Sequence, residues 1–388
     1  MASNNFYTLK DIYPQSRDAF FFEFKKIDEI KNEALIVLDT NILLLPYKTN
    51  SESFNAIKQV YSQLISTNQL YIPSHAIREF LKNRPNKLSE IVEALNKKSS
   101  TSFQYVENYP VLTNLDEYEQ LIGLGSALKV QIKEYQDKIR SIISTMQNWT
   151  WNDPVSTVYK ELFVDRILDD SHIDFTQLES ELEKRNTLSL PPGFKDKGKD
   201  LNASGDLIIW KEILKCAQEK DKHLIFISAD EKSDWWHQSN KEGLYPRFEL
   251  VDEFRRETNG KSFHILSLSK LLQIFNASSA VIDSVAATEN QLSSELKVYD
   301  DWLEYRKYLN IPKEHRITCD HKSWKQKHRL DTDTYLIKEY NLDNELINTY
   351  ELYDSTNMDP PFNRELYAEK NKKKLPILSI GSFLSLKF

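Results

Sequence analysis

Glycine is scarce in this chain, at 8 of 388 residues. So few leave little room for glycine-rich phosphate loops, and neither GxGxxG nor a P-loop is present, which argues against a dinucleotide-binding fold. Cysteine is scarcer still. Cys216 and Cys319 are the only two, too few and too far apart for a disulfide framework or a zinc cluster. A reducing cytosol is the compartment they suit, so a cytoplasmic protein is expected. No stretch approaches roughly 18 consecutive apolar residues, the length a membrane helix needs. The first residues lack the charged-then-apolar layout of a signal peptide, and no membrane partner is expected. Net positive charge is missing too: 51 Lys and Arg stand against 58 Asp and Glu, giving −7. Any contact with nucleic acid must therefore use a local basic patch. No Ser/His/Asp set and no nucleophilic cysteine is evident, and His75, His223 and His237 are candidates by position alone.

What is present fits a soluble globular protein: 40% hydrophobic and 28% charged residues, with 19 Tyr, 19 Phe and 7 Trp. The length allows one large or two ordinary domains. Residues 34–38 are a continuous, partly β-branched apolar run, the pattern of a strand buried on both faces in a parallel sheet. Asp39 arrives where that strand ends, and ligands bind at the carboxyl ends of such strands. An aspartate that merely caps the next helix is the plainer reading. Thr40 and Asn41 follow, both able to hydrogen-bond a carboxylate. An amphipathic helix is predicted over 53–65, with Phe54, Ile57, Tyr61, Leu64 and Ile65 on one face. A short strand over 69–72, closed by Pro73, completes a right-handed βαβ unit.

Ser74 is a candidate cap for the next helix, whose Ile77, Phe80 and Leu81 point inward. Glu79 sits in its first two turns, where a surface glutamate facing the helix N-terminus is the ordinary explanation. Residues 86–190 show helical spacing and no strand pattern, and read as a long helical insertion over the crevice. Trp149, Trp151 and Tyr159 within it read as core or hinge residues. A polar, Lys-rich loop over 191–206 then delivers Asp206 to a helix patterned by Trp210, Ile213, Leu214 and Ala217. Residues 223–228 form the best strand of the second half, and Asp230 follows it. Two further short strands are expected over 247–251 and 263–267. Pattern is lost over 276–290, where a domain boundary is placed. This gives an α/β domain over 1–280, with the insertion about 86–190, and a small accessory or partner-binding domain over 291–388. The latter carries a basic run at 322–329 and no chemical motif.

Asp39 and Asp230 thus follow strands, while Glu79 and Asp206 open helices at the same sheet edge. Four carboxylates in one crevice would repel each other unless cations sit between them. Oxygen-only ligands select Mg²⁺ or Mn²⁺, and such ions support in-line displacement at a phosphodiester.

Five segments, in this order, carry a resemblance: VLDTNILLLPY (37–47), IPSHAIREFLKNR (72–84), PPGFKDKGK (191–199), SGDLIIWKEIL (204–214) and IFISADEKSDWW (225–236). Together they are similar to the PIN-like domain of the PIN/FEN superfamily, and more narrowly to its large bacterial branch with a helical insertion and an AspTrpTrp signature. The resemblance covers roughly residues 15–280. It implies a central parallel sheet flanked by helices, and Mg²⁺- or Mn²⁺-dependent cleavage of nucleic acid. RNA is favoured and DNA possible. Carried over by position, Asp39, Glu79, Asp206 and Asp230 match the metal ligands, and Asn41 and Ser228 their supports. Asp196 is a possible addition to the acidic set, and Asp234 a weaker candidate whose neighbouring tryptophan can simply anchor a loop. Arg78, Lys82, Arg84, Lys195 and Lys232 flank the acids and could hold phosphates, though ordinary solvated charge explains any of them singly. Members of this size resemble effectors of bacterial stress or phage defence, which implies a regulatory protein partner, or a homo-oligomer formed through the C-terminal region. The competing readings are a structure-specific DNA nuclease and a non-catalytic RNA- or protein-binding scaffold.

Overall fold

The computed structural model describes residues 8–380 except 16, 18, 195–203, 240–241, 313–314, 328, 342–344, 358–363, 371–372 and 375–377. Asp196 and Lys195 lie outside the described residues. The chain divides into two compact units, Met1–Ser293 and Ser294–Phe388.

Two short helices, α1 (Thr8–Ile12) and α2 (Ile27–Ile30), lead into β1 (Leu35–Leu38). Every residue of β1 is buried, as the unbroken apolar run requires. Helix α3 (Thr40–Leu44) starts on Asp39, and α4 (Ser51–Ser66) buries Ile57, Val60, Tyr61 and Leu64. Strand β2 (Leu70–Tyr71), β3 (Leu224–Ile227) and β6 (Phe263–Leu266) join β1 in one parallel sheet of order β2-β1-β3-β6. From β1 the chain moves to β2 on one side and later to β3 on the other. The two central strands therefore end together, at the switch point where open α/β sheets bind ligands. The core of this unit is continuous from Leu35 and Tyr61 to Trp210, Phe254 and Leu271.

Helix α5 (Ser74–Ser100) runs unbroken past residue 86 and contains Pro85. The insertion is therefore an extension of the helix that carries Glu79, not a separate body beginning after it. Helix α6 (Asp116–Gln147) packs against α5, followed by α7 (Pro154–Leu162) and α8 (Phe175–Leu188). The insertion also returns to the sheet: Ile72 N–H donates to Arg166 O at 2.9 Å and Leu168 N–H to Ile72 O at 2.8 Å, extending the edge beside β2. Helix α9 (Gly205–Lys220) precedes β3.

The strand expected over 247–251 is not formed. A hairpin of β4 (Trp236–Ser239) and β5 (Glu242–Pro246) comes first, and α10 (Phe248–Glu257) follows. Leu250, Val251 and Phe254 are buried together, so the apolar period is helical once Phe254 is counted. Helix α11 (Leu268–Ile274) closes the sheet. The expected break over 276–290 is occupied instead by α12 (Ser279–Tyr308), whose Val281, Val285 and Leu292 are buried in the first unit's core.

The second unit is antiparallel: β7 (Arg316–Lys327), β8 (Leu330–Tyr340), β9 (Leu346–Asn357), β10 (Arg364–Lys370) and β11 (Lys373–Lys374) lie in the order β11-β10-β9-β8-β7, with β12 (Leu378–Ile380) also on β10. Ile337, Tyr350, Leu352, Leu366 and Ala368 form its core with Tyr305 and Leu309. Among the described residues, no helix is long and apolar enough to cross a membrane.

Candidate active site

Asp39 leaves the central strand β1 and caps α3, its Oδ1 accepting from Thr40 N–H at 2.7 Å. Its Oδ2 accepts from Asn41 Nδ2 and from Ser228 Oγ, both at 2.6 Å. Ser228 stands at the end of the neighbouring strand, and Asn41 Oδ1 accepts from Ala229 N–H at 3.0 Å. Asn41 and Ser228 thus tie the ends of β1 and β3 together around one carboxylate. Asp230 N–H donates to Ser228 Oγ at 3.0 Å, which orients the next acid in the series. The Lys232 ammonium lies 2.9 Å from Asp230 Oδ2.

Glu79 reaches the same place from α5. Thr40 Oγ1 donates to its Oε2, and His75 Nε2 is 3.8 Å from its Oε1. Asp206 comes from the first turn of α9. Burial, and then the charges of Glu79, Asp206 and Asp230, push the Asp39 carboxyl up to about 7, against the pull of the Ser228 hydrogen bond. Asp234 is fully buried. Burial, followed by Asp206 and Asp230, raises it to about 7 as well, with Lys232 acting in the opposite direction. Five carboxylates from four segments therefore share one electrostatic environment. Among the described residues, no three His, Cys, Asp or Glu side chains stand ready to ligate an ion. The acids are held by protein donors instead: Thr40 on Glu79, Lys232 on Asp230, Asn41 and Ser228 on Asp39.

Two carboxylate oxygens escape this pairing. Asp206 Oδ2 and Asp234 Oδ1 are buried with no hydrogen-bond partner. Buried polar atoms ordinarily find one, so these two oxygens, in an all-oxygen donor set, fit a hard divalent cation. Trp235 stacks on Phe226 with centroids 5.0 Å apart, and Trp236 Nε1 donates to Asp230 O at 3.0 Å. The tryptophans thus hold the segment from Asp230 to Asp234 against the sheet.

The basic residues divide. Arg84, expected to hold phosphate, is 6% exposed. Its guanidinium is committed to Asp153 through Nε at 2.9 Å and NH2 at 2.5 Å, with Trp151 stacked at 4.6 Å. A cation buried this deeply needs a fixed anion, so it ties α5 to the start of α7 and cannot meet substrate. Arg78 is paired with Asp170 at 2.5 Å and also donates to Ser74 Oγ. Lys82 is exposed, one turn beyond Glu79. His223 accepts from Ser262 N–H at 2.8 Å, and His237 stacks on Tyr245. Both are accounted for structurally.

Sequence reasoning overlooked Glu212. It is 1% exposed, and it accepts from Ser74 N–H at 2.7 Å and His75 N–H at 3.3 Å. It therefore does the capping expected of Ser74, and it joins the helix bearing Asp206 to the helix bearing Glu79. Its signal is a carboxylate beside an apolar helix stripe with Ile208 and Cys216 four residues to either side.

The model of the family described as PIN like domain matches residues 35–250, more than half of the chain. No curated protein and no solved structure matches the chain.

Proposed function

We propose that this chain, which belongs to the PIN-like domain family, is a nuclease that hydrolyses phosphodiester bonds in RNA with the help of Mg²⁺ or Mn²⁺. The family as a whole is nuclease-like. The observation that carries the metal-dependent reading is the gathering of Glu79, Asp206 and Asp230 around Asp39 at one sheet edge, close enough for their charges to help raise the Asp39 carboxyl. Such crowding is costly without a cation.

In this reading Asp39, Glu79, Asp206 and Asp230 hold the ion. When bound, Mg²⁺ or Mn²⁺ supplies a Lewis acid for the phosphoryl oxygen and favours ionisation of the attacking water. The chain's own contribution is positioning. Asn41 and Ser228 fix the Asp39 carboxylate, Thr40 fixes Glu79, and the Asp230–Lys232 pair keeps an ammonium beside the site. Lys232 is suited to transfer from Asp230 to a substrate phosphate once an ion takes over that carboxylate. Lys82 extends the positive charge along α5. Residues 294–388 then serve to bind a regulatory partner, and a stress- or phage-defence role accords with the size of the chain and its added domain.

Labelled single-stranded RNA, tRNA and flap DNA, incubated with Mn²⁺, test the proposal. Cleavage of RNA by the wild type and none by Asp39→Asn is expected. Equal cleavage by both proteins overturns it. Preference for flap DNA replaces the substrate class, and no cleavage with no Mn²⁺ uptake favours a scaffold.

A further inference from the structure

Helix α6 has two apolar sides. One is covered by its own chain: Tyr118, Ile139, Ile143 and Met146 are buried where α5 and the segment after it lie along the helix. Gln136 Nε2 donates to Thr101 O at 3.0 Å, and Tyr109 N–H donates to Tyr118 Oη at 2.7 Å, so that segment runs back along α6. The other side stays open among the described residues. Leu121, Leu128, Tyr135 and Ile142 recur at every seventh position and are 44%, 36%, 59% and 51% exposed. Glu117, Leu124, Gln131 and Lys138 form a second row at the same interval, and all four are exposed. Two such rows, offset by three and four residues, are the seam of a coiled coil. From Glu117 to Ile142 this seam is about 38 Å long. A helix packed on one neighbour needs one apolar face, and a second contiguous one marks a docking surface.

The charges say what fits it. The second row opens with an acid and closes with a base. The whole helix has the same polarity: residues 116–128 hold three acids and no base, and 129–147 hold four bases and two acids. A parallel copy would set Glu117 on Glu117 and Lys138 on Lys138. A reversed copy, with the first row of each helix facing the second row of the other, sets Leu124 against Tyr135 and Leu128 against Gln131. It brings each Glu117 within one helical turn of the other copy's Lys138, about 6 Å along the axis. The surface is therefore complementary to itself turned about a two-fold axis, as a closed dimer requires.

We propose that α6 is a self-docking surface, through which two copies of this chain pair as an antiparallel coiled coil. The seam lies in the insertion rather than in residues 291–388, and it uses none of the acids at the sheet edge.

Sedimentation equilibrium of the full-length protein, at concentrations up to about 100 μM, tests this. The wild type is expected to dimerise, and Leu128→Glu to remain monomeric with the wild-type circular dichroism. Glu117→Lys and Lys138→Glu should each weaken the dimer by about tenfold or more, because each puts like charges at both ends of the pair. The double variant Glu117→Lys/Lys138→Glu should recover most of the loss, which damage to the helix itself would not allow. A monomeric wild type overturns the proposal and leaves the seam to a different protein. A dimer indifferent to Leu128→Glu places the contact elsewhere and overturns it too. Single charge reversals without effect, or a double variant no better than the singles, overturn the antiparallel pairing.

Discussion

Replacing Asp39 by asparagine in metal-free protein should change stability by an amount that depends on pH. The folded protein holds the Asp39 carboxyl at about 7, against 3.8 for the unconstrained group. Its folded pKa is thus raised, so the native state binds the proton more tightly than the unfolded state. Stability falls as pH rises through the window between those values. Between about pH 5 and about pH 8 the linkage relation makes the ionised wild type lose about 2–3 kcal/mol that the asparagine variant keeps. Near pH 5 the wild-type Asp39 is a neutral carboxyl, which like asparagine carries a donor on one of its two polar atoms, so both side chains face the donors Thr40 N–H, Asn41 and Ser228 alike. The variant should therefore be about as stable as the wild type near pH 5 and more stable near pH 8. Calorimetric melting in EDTA at both values checks this, with the difference between the two proteins expected to swing by roughly 5 °C for a unit of this size. Taking the difference removes every other titrating group. A difference that stays constant, or moves the other way, would refute the account of a carboxylate stressed by burial and its acidic neighbours. Saturating Mn²⁺ should abolish the swing by stabilising the wild type alone.

Arg84→Met should destabilise by about 3–5 kcal/mol, because it leaves Asp153 buried without its cation. Urea unfolding measures it, and a loss under about 1 kcal/mol would contradict the burial. Glu212→Ala leaves two α5 amides unsatisfied and should cost about 1–3 kcal/mol. It should also weaken Mn²⁺ binding, whereas Glu212→Gln retains one acceptor and recovers part of both. Ile36→Ala, in the fully buried central strand, should cost about 2–5 kcal/mol in a denaturant titration without altering Mn²⁺ stoichiometry.

The parallel core was legible because β1 and β3 are unbroken apolar runs of a kind that only a strand covered on both faces tolerates. Asp39 and Asp230 were legible for the same reason, as the first polar side chains after those runs. Glu79 and Asp206 were found by the order of segments rather than by periodicity, since an acid in a first helical turn has an ordinary explanation. Arg84 was misread because a buried guanidinium and a solvated one look alike in a string of residues. Its partner Asp153 lies 69 positions away, across an insertion whose return path no local pattern discloses. Residues 247–251 misled through their brevity: five residues with Phe, Leu and Val suit a strand until Phe254 is included. The antiparallel strands of the second unit carry tyrosine, threonine and charge on both faces, so alternation is blurred and strand length was hidden.

The Arg84–Asp153 pair has an evolutionary consequence. It fastens the outgoing and incoming arms of the insertion to each other, five residues beyond Glu79 on the same helix. Everything farther out hangs from that rivet. Lengthening, pruning or repainting the outer arms then leaves this fastening in place, so the hairpin's surface is free to diversify while the acids at the sheet edge stay as they are.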